Sequence, residues 1–193
     1  MNARRLYAPT VLATLAAGGI AFFVAGRTWA EAEVKAPGLA AADVSVSGAE
    51  AQPLVSALAV VIVAASLAIL AAGPRLRRFV GGLTMLVAVV GVVAVPRSGT
   101  NGLENALTTA AEESPAFTGP SSIGDISYTP WDLVAIAAFV LALVLGAVTL
   151  RLGPRWPTMS SRYDAPTARP QPADELSDSD MWKAMDDGHD PTQ

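Results

Sequence analysis

The chain has 193 residues, 52% of them hydrophobic, and a formal net charge of −4. That composition is more apolar than is usual for a soluble domain of this length. The sequence has no cysteine and one histidine, which excludes disulfides, thiolate chemistry and cysteine-ligated zinc.

Four long apolar segments without charged side chains dominate the sequence. They are Leu6–Gly26, Leu54–Gly73, Phe79–Val95 and Leu133–Leu150. A helix needs roughly 20 residues to cross about 30 Å of hydrocarbon. The third segment is short alone, but Arg78 and Arg97 at its edges can reach the headgroups, and Trp131 extends the fourth as an interfacial anchor. We therefore predict an all-α integral membrane protein with four transmembrane helices, at about 6–26, 54–73, 79–96 and 131–150.

The first apolar segment has two readings. Arg4 and Arg5 precede it, as in a secretory signal peptide. Its apolar run is longer than the 7–15 residues or so of a signal peptide, and Arg27 and Trp29 make a poor cleavage site. We expect an uncleaved helix.

The connections between the apolar segments differ in length. "PRLRR", residues 74–78, predicts a tight turn between the second and third helices. In the first outer loop, 27–53, alternating apolar residues on both sides of Pro37 and Gly38 predict a small extracytoplasmic β-hairpin, with Ser47 as a helix cap. In the second, 97–130, Leu103 and Leu107 predict a short amphipathic turn, followed by irregular chain and a strand.

The basic residues predict the orientation. Ten of them lie at the N-terminus, in "PRLRR" or in the tail: Arg4, Arg5, Arg75, Arg77, Arg78, Arg151, Arg155, Arg162, Arg169 and Lys183. The outer loops hold Arg27, Lys35 and Arg97. The positive-inside rule then places both termini in the cytoplasm of a multi-pass protein of the cell (inner) membrane. We divide the chain into a transmembrane domain, 1–150, and a cytoplasmic tail, 151–193.

The tail is predicted to be largely disordered, with two segments that carry candidate partner-binding residues. The first, "RWPTMSSRY", contributes Trp156, Met159, Ser160, Arg162 and Tyr163. In the second, Met181, Trp182 and Met185 share one face of a short helix that Ser179 can cap. For Trp156 a second reading stays open, in which Arg151, Arg155 and Trp156 anchor the chain at the inner leaflet.

Residues that carry catalytic chemistry are scarce. The single histidine, His189, lies in the acidic tail, and the sequence has no phosphate-binding glycine loop. Polarity inside the apolar segments comes from hydroxyls: Thr10, Thr14, Ser66, Thr84 and Thr149. Such residues usually bond to their own or a neighbouring helix. We expect no enzymatic activity, cofactor, metal or nucleic-acid partner, and the absence of intramembrane charge counts against a proton-coupled transporter.

Several motifs resemble those of the tryptophan biosynthesis-associated membrane proteins of actinobacteria. That family typically ends in a Trp-Pro-x-Met-Ser-x-Arg-Tyr segment, matched by residues 156–163, and an Asp-x-Trp-x-Ala-x-Asp-x-Gly-x-Asp-Pro-Thr segment, matched by residues 180–192. "GRTW" (26–29), "VSVSGAEAQP" (44–53) and "YTPW" (128–131) are also similar. The resemblance implies a small four-span membrane protein encoded among tryptophan biosynthesis genes.

Two functional hypotheses follow. In the first, the protein is a membrane anchor whose tail docks a cytosolic enzyme of the tryptophan pathway or a membrane complex. In the second, it is a small oligomeric transporter, or an accessory transport subunit, for tryptophan or a related aromatic metabolite. Four helices rarely enclose a pathway alone, so the second hypothesis requires a homo-oligomer.

Overall fold

A computed structural model describes residues 3–35, 37–38, 40–115, 117–119 and 122–156. After a 3-10 turn at Ala3–Leu6, the helices are α1 (Tyr7–Ala25), α2 (Gly48–Ala51), α3 (Pro53–Ala71), α4 (Pro74–Ala94), α5 (Asn101–Glu112) and α6 (Trp131–Leu152). The strands are β1 (Thr28–Val34), β2 (Ala42–Ser47) and β3 (Ser127–Tyr128). A second 3-10 turn, Gly153–Arg155, follows α6.

Among the described residues, four helices are long and apolar enough to cross a membrane: α1, α3, α4 and α6 with the turn after it. They form a ring in which α1 and α4 each pack against both α3 and α6. The large apolar side chains that remain exposed, such as Leu12, Phe79, Leu86, Val93 and Leu133, all lie on these four helices. An apolar surface of this extent requires a lipid environment, as the sequence predicts.

The link between α3 and α4 is shorter than predicted. Only Ala72 and Gly73 separate the two helices, and "PRLRR" forms the first turn of α4 instead of a connecting loop. Pro74 occupies the first position of the helix, where its missing N–H costs no hydrogen bond. The predicted third helix begins where the apolar residues begin, near Phe79. α4 begins earlier, at Pro74, because a helix can extend beyond the hydrocarbon.

A three-stranded antiparallel sheet covers one end of the bundle, which we call the sheet end. β1 is central and pairs with β2 on one side and with β3 on the other. The pairing of β1 with β2 was expected from the sequence, whereas the addition of β3 to the same sheet was not. α5 lies against β1, β2 and α2 and buries Leu103, Leu107 and Ala111, the face that the sequence indicated.

Trp29 joins the sheet to the bundle. The pairing of β1 with β2 is irregular between Thr28 and Ala30, and the Trp29 side chain is fully buried. Its Nε1 donates a hydrogen bond to the carbonyl of Val24 in the last turn of α1, at 2.9 Å. A Cβ at Gly48 would lie 2.4 Å from the indole ring, so only glycine fits there.

Side-chain hydrogen bonds also stabilise two helix starts at the sheet end. Asp132, in the first turn of α6, accepts hydrogen bonds from the backbone N–H of Ser98 at 2.9 Å and from the Ser98 hydroxyl at 3.0 Å. Ser47 and Glu50 form a reciprocal capping box at the start of α2. Ser47 was expected to cap the second transmembrane helix, but it caps this separate short helix, and α3 begins at Pro53 after Gln52.

Candidate functional site

Of the predicted partner-binding residues, Trp156 lies within the described part of the chain. Met159, Ser160, Arg162, Tyr163, Met181, Trp182 and Met185 lie outside the described residues. The site is therefore built from Trp156 and the side chains around it, at the end of the bundle opposite the sheet. We call this the arginine end because Arg5, Arg75, Arg78, Arg151 and Arg155 are exposed there.

Trp156 is 3% exposed. The turn Gly153–Arg155 reverses the chain after α6, and the backbone N–H of Trp156 donates to the carbonyl of Gly153 at 3.2 Å. The indole ring packs edge-on against Tyr7 of α1, with ring centroids 5.4 Å apart. It belongs to an apolar cluster that also contains Val11, Ala65, Ile69 and Val80. Trp156 thus holds the end of α6 against α1, α3 and α4.

Arg77, in the first turn of α4, is the second buried residue of the site, with 2% exposure. Its Nε donates to the carbonyl of Ile69 in α3 at 3.2 Å, and its Nη1 donates to the carbonyl of Trp156 at 3.3 Å. Its guanidinium carbon lies 4.9 Å from the ring centroid of Tyr7. We call Tyr7, Ile69, Arg77, Gly153 and Trp156 the Arg77 junction, since Arg77 contacts the other four.

Gly153 lets the end of α6 approach Arg77. A Cβ at Gly153 would lie 3.1 Å from the Cβ of Arg77, tighter than most such contacts. One and two turns before Gly153, Leu150 and Gly146 lie against Gly81 of α4. Thr149, in the same part of α6, is fully buried.

Within the described part of the chain, two polar atoms near the junction have no hydrogen-bond partner. They are Oγ1 of Thr149 and Nε1 of Trp156, both buried. By contrast, the hydroxyls of Thr14, Ser66 and Thr84 donate to carbonyls of their own helices. A buried polar group without a partner costs on the order of 1–3 kcal/mol. The packing of the indole ring and the hydrogen bond from Arg77 to the backbone carbonyl therefore stabilise Trp156 in its buried position, whereas the indole N–H destabilises it.

The role of Arg77 was not predicted from the sequence. By sequence, Arg77 belongs with Arg75 and Arg78 to the cations of the link between the second and third helices. A signal was present, because Arg77 lies three, four and seven residues before Val80, Gly81 and Thr84, which the structure buries on one face of α4. Its helical phase therefore marked it as inward-facing, unlike its two neighbours.

The sheet end carries an acidic cleft instead of a basic cluster. Its volume is about 390 Å³, and its lining includes Glu31, Glu33, Asp43 and Asp125. Lys35 pairs with Glu33 at 2.6 Å, and this contact raises the pKa of the Lys35 ammonium. Among the described residues, no three carboxylate or histidine side chains are grouped so that they could hold a metal ion.

Two further pKa values are shifted at the sheet end. The backbone N–H and side chain of Ser47 lower the pKa of Glu50. Burial and the carboxylate of Glu104 raise the pKa of the Tyr128 phenol, which donates a hydrogen bond to Glu104 at 3.2 Å and so ties β3 to α5.

At the arginine end, these contacts hold the end of α6 against the other three transmembrane helices. The Arg77 junction joins α1, α3 and α4 to Trp156, the last residue that the structure describes. The chain has no match among curated proteins or among solved structures. The sequence model of one family, the tryptophan-associated transmembrane proteins, matches residues 11–192, nearly the whole chain, and the protein belongs to this family.

Proposed function

We propose that this protein is a non-enzymatic membrane anchor that holds a cytosolic enzyme of the tryptophan pathway at the cell membrane through its C-terminal tail. The observation that carries the proposal is the Arg77 junction. A tail that recruits a partner needs a defined starting point at the membrane. Trp156 supplies one, because its ring packs on Tyr7 and its backbone carbonyl accepts a hydrogen bond from Arg77.

The charge distribution supports a cytoplasmic location for this end. The exposed cations Arg5, Arg75, Arg78, Arg151 and Arg155 surround the junction, whereas Arg27, Lys35 and Arg97 are the described cations of the sheet end. By the positive-inside rule the arginine end faces the cytoplasm, and both termini of the chain are on that side.

The composition of the tail supports docking. The "RWPTMSSRY" segment contains Met159, Ser160, Arg162 and Tyr163, which follow Trp156 in the sequence. Met181, Trp182 and Met185 come some twenty residues later and have the helical spacing of groove-binding anchors. Buried tryptophan and methionine side chains contribute strongly to binding energy at protein interfaces. The terminal segment is therefore proposed to contact the partner, and the first segment to lie nearer the membrane.

The packing of the helices favours an anchor over a transporter. Gly81 of α4 lies directly against the backbone of Gly146 and Leu150 in α6, and Gly91 lies against the ring of Phe139. These contacts close the α4–α6 side of the bundle. A transport pathway would have to run elsewhere, for instance between two copies of the chain.

Crosslinking and pull-down from native membranes tests the proposal. The wild type is compared with a Trp182→Ala, Met185→Ala double variant. A double variant of the opposite face of the predicted helix, Lys183→Ala with Asp187→Ala, is the matched control. We expect an enzyme of tryptophan synthesis to be captured by the wild type and by the control, and to be lost from the Trp182/Met185 variant.

Equal capture by all three proteins would contradict terminal docking. Capture of only membrane subunits or of a second copy of the chain would contradict the assignment of a cytosolic partner. A change in tryptophan flux in cells that lack the protein, without any captured enzyme, would favour transport instead.

A further inference from the structure

A groove at the sheet end of the bundle has the composition of a lipid site. It lies between the end of α1 and the beginning of α2 and α3, and its volume is about 490 Å³. We call it the Arg27 groove; it is lined by Phe22, Phe23, Gly26, Arg27, Ala49 and Ser56. Phe22 is 53% exposed and Phe23 is 56% exposed, so both rings face the surroundings of the bundle.

Arg27 supplies the only charge in this lining. Its guanidinium carbon lies 4.2 Å from the ring centroid of Phe23, in a cation–π contact. A cation–π contact offers the guanidinium no hydrogen-bond acceptor, so its N–H groups can still bind a second ligand. The side chain is exposed, so a phosphate can reach it.

The depth of the groove matches a phospholipid. Phe22 and Phe23 belong to the last turn of α1, and Arg27 follows four residues after Phe23. Since α1 ends at Ala25, Arg27 lies two residues beyond the helix, at the boundary expected between the hydrocarbon and the headgroups. The headgroup layer on each side of the hydrocarbon has a thickness of about 5–7 Å. A lipid whose acyl chain lies along the two phenylalanine rings would therefore place its phosphate at Arg27.

We propose that the Arg27 groove binds an anionic phospholipid, with the phosphate on the Arg27 guanidinium and an acyl chain against Phe22 and Phe23. Charge complementarity selects the headgroup, since the lining holds one cation and no carboxylate. A choline group would find no acidic partner there. Of the other described cations at this end, Lys35 is paired with Glu33, and Arg97 follows α4, which does not adjoin α1 in the ring.

Native mass spectrometry of the full chain released from detergent micelles tests this site. Dioleoyl phosphatidylglycerol and dioleoyl phosphatidylcholine are supplied in equal amounts. Arg27→Gln is compared with Arg97→Gln, which removes the same charge from an exposed position at the same end. We expect the wild type and Arg97→Gln to retain phosphatidylglycerol preferentially, and Arg27→Gln to retain on the order of tenfold less, as expected from the loss of one charge-assisted contact.

Two further arms separate a lipid from a free phosphate. Phe22→Ala shortens the apolar wall and leaves Arg27 in place, and we expect it to weaken retention of phosphatidylglycerol. Excess glycerol 3-phosphate carries the headgroup chemistry without acyl chains, and we expect it not to compete. Equal retention by the wild type and Arg27→Gln, equal loss in both glutamine variants, or full displacement by glycerol 3-phosphate would each overturn the proposal.

Discussion

At the scale of single residues, two tryptophans with the same burial have different hydrogen-bond environments. Nε1 of Trp29 donates to the carbonyl of Val24, whereas Nε1 of Trp156 has no partner among the residues that the structure describes. The sequence could not distinguish them, because each follows an apolar helix within a few residues. The difference depends on which carbonyl the folded backbone brings within reach of each indole.

This difference predicts the effect of replacing each tryptophan by phenylalanine. Trp156→Phe should change the free energy of unfolding by less than about 1 kcal/mol, because removal of an unsatisfied N–H offsets the lost ring volume. Trp29→Phe should cost more, because it also leaves the Val24 carbonyl without its donor. Trp156→Ala should cost about 3 kcal/mol. Thermal unfolding in detergent, followed by circular dichroism, measures all three.

Equal losses in Trp156→Phe and Trp156→Ala would contradict this explanation. They would mean that the N–H has an acceptor, such as an ordered water, whose loss costs as much as the ring.

The capping box of α2 predicts a dependence of stability on pH. Hydrogen bonds from Ser47 lower the pKa of Glu50 below its ordinary value of 4.5. The ionised carboxylate therefore stabilises the fold above that value, and the stabilisation is lost as the pH falls through the lowered pKa. Glu50→Gln should unfold at a lower temperature than the wild type at pH 7, and this difference should shrink as the pH is lowered below 4.5. A constant difference across this range would argue against the charge as the cause.

At the scale of helices, two pairs of adjacent glycines perform two different roles. In α1, a Cβ at Gly18 would lie 2.9 Å from the backbone nitrogen of Val63 in α3, while Gly19 has nothing within 4 Å. In α4, a Cβ at Gly81 would lie 2.7 Å from the backbone nitrogen of Leu150, while Gly82 again has open space. One glycine of each pair thus allows close helix packing, and the other faces outward.

Alanine substitution within each pair should separate these roles. Gly18→Ala and Gly81→Ala force helix backbones apart and should each cost about 1–3 kcal/mol. Gly19→Ala and Gly82→Ala meet no neighbour and should be neutral or stabilising by up to about 1 kcal/mol, since alanine favours the helix. The unfolding temperatures of the four variants in one detergent give the comparison. Similar losses at both members of a pair would show that the helices pack on a different face.

At the scale of the whole molecule, the asymmetry between an arginine end and an acidic sheet end predicts the topology. The chain has no cysteine, so single-cysteine variants can be labelled without background. Ser45→Cys lies on the exposed sheet, and Ser177→Cys lies in the tail sequence. In spheroplasts, a membrane-impermeant maleimide should label Ser45→Cys directly and Ser177→Cys only after permeabilisation. The reverse pattern would contradict the proposed orientation and, with it, the cytosolic partner.

The sequence by itself determined the class of the molecule. Four runs of about twenty apolar residues can satisfy their backbone polar groups in lipid only as helices, so their number and approximate positions could be inferred without a structure. Membership of the family followed from motifs near the helix ends and in the tail. Ser47 as a cap, and Leu103 and Leu107 on one side of an amphipathic turn, depend on spacing of a few residues and were equally accessible, although the turn is a 12-residue helix in the structure.

The tertiary structure decided what depends on contacts between distant residues. The buried Arg77 side chain is stabilised because the carbonyls of Ile69 and Trp156 accept its hydrogen bonds, and these two residues belong to other parts of the chain. The pairing of β3 with β1 joins residues about a hundred positions apart. Which glycine of each pair faces a neighbouring helix depends on the helix register. Local patterns specify helices and caps, whereas these long-range contacts are set by how the helices pack.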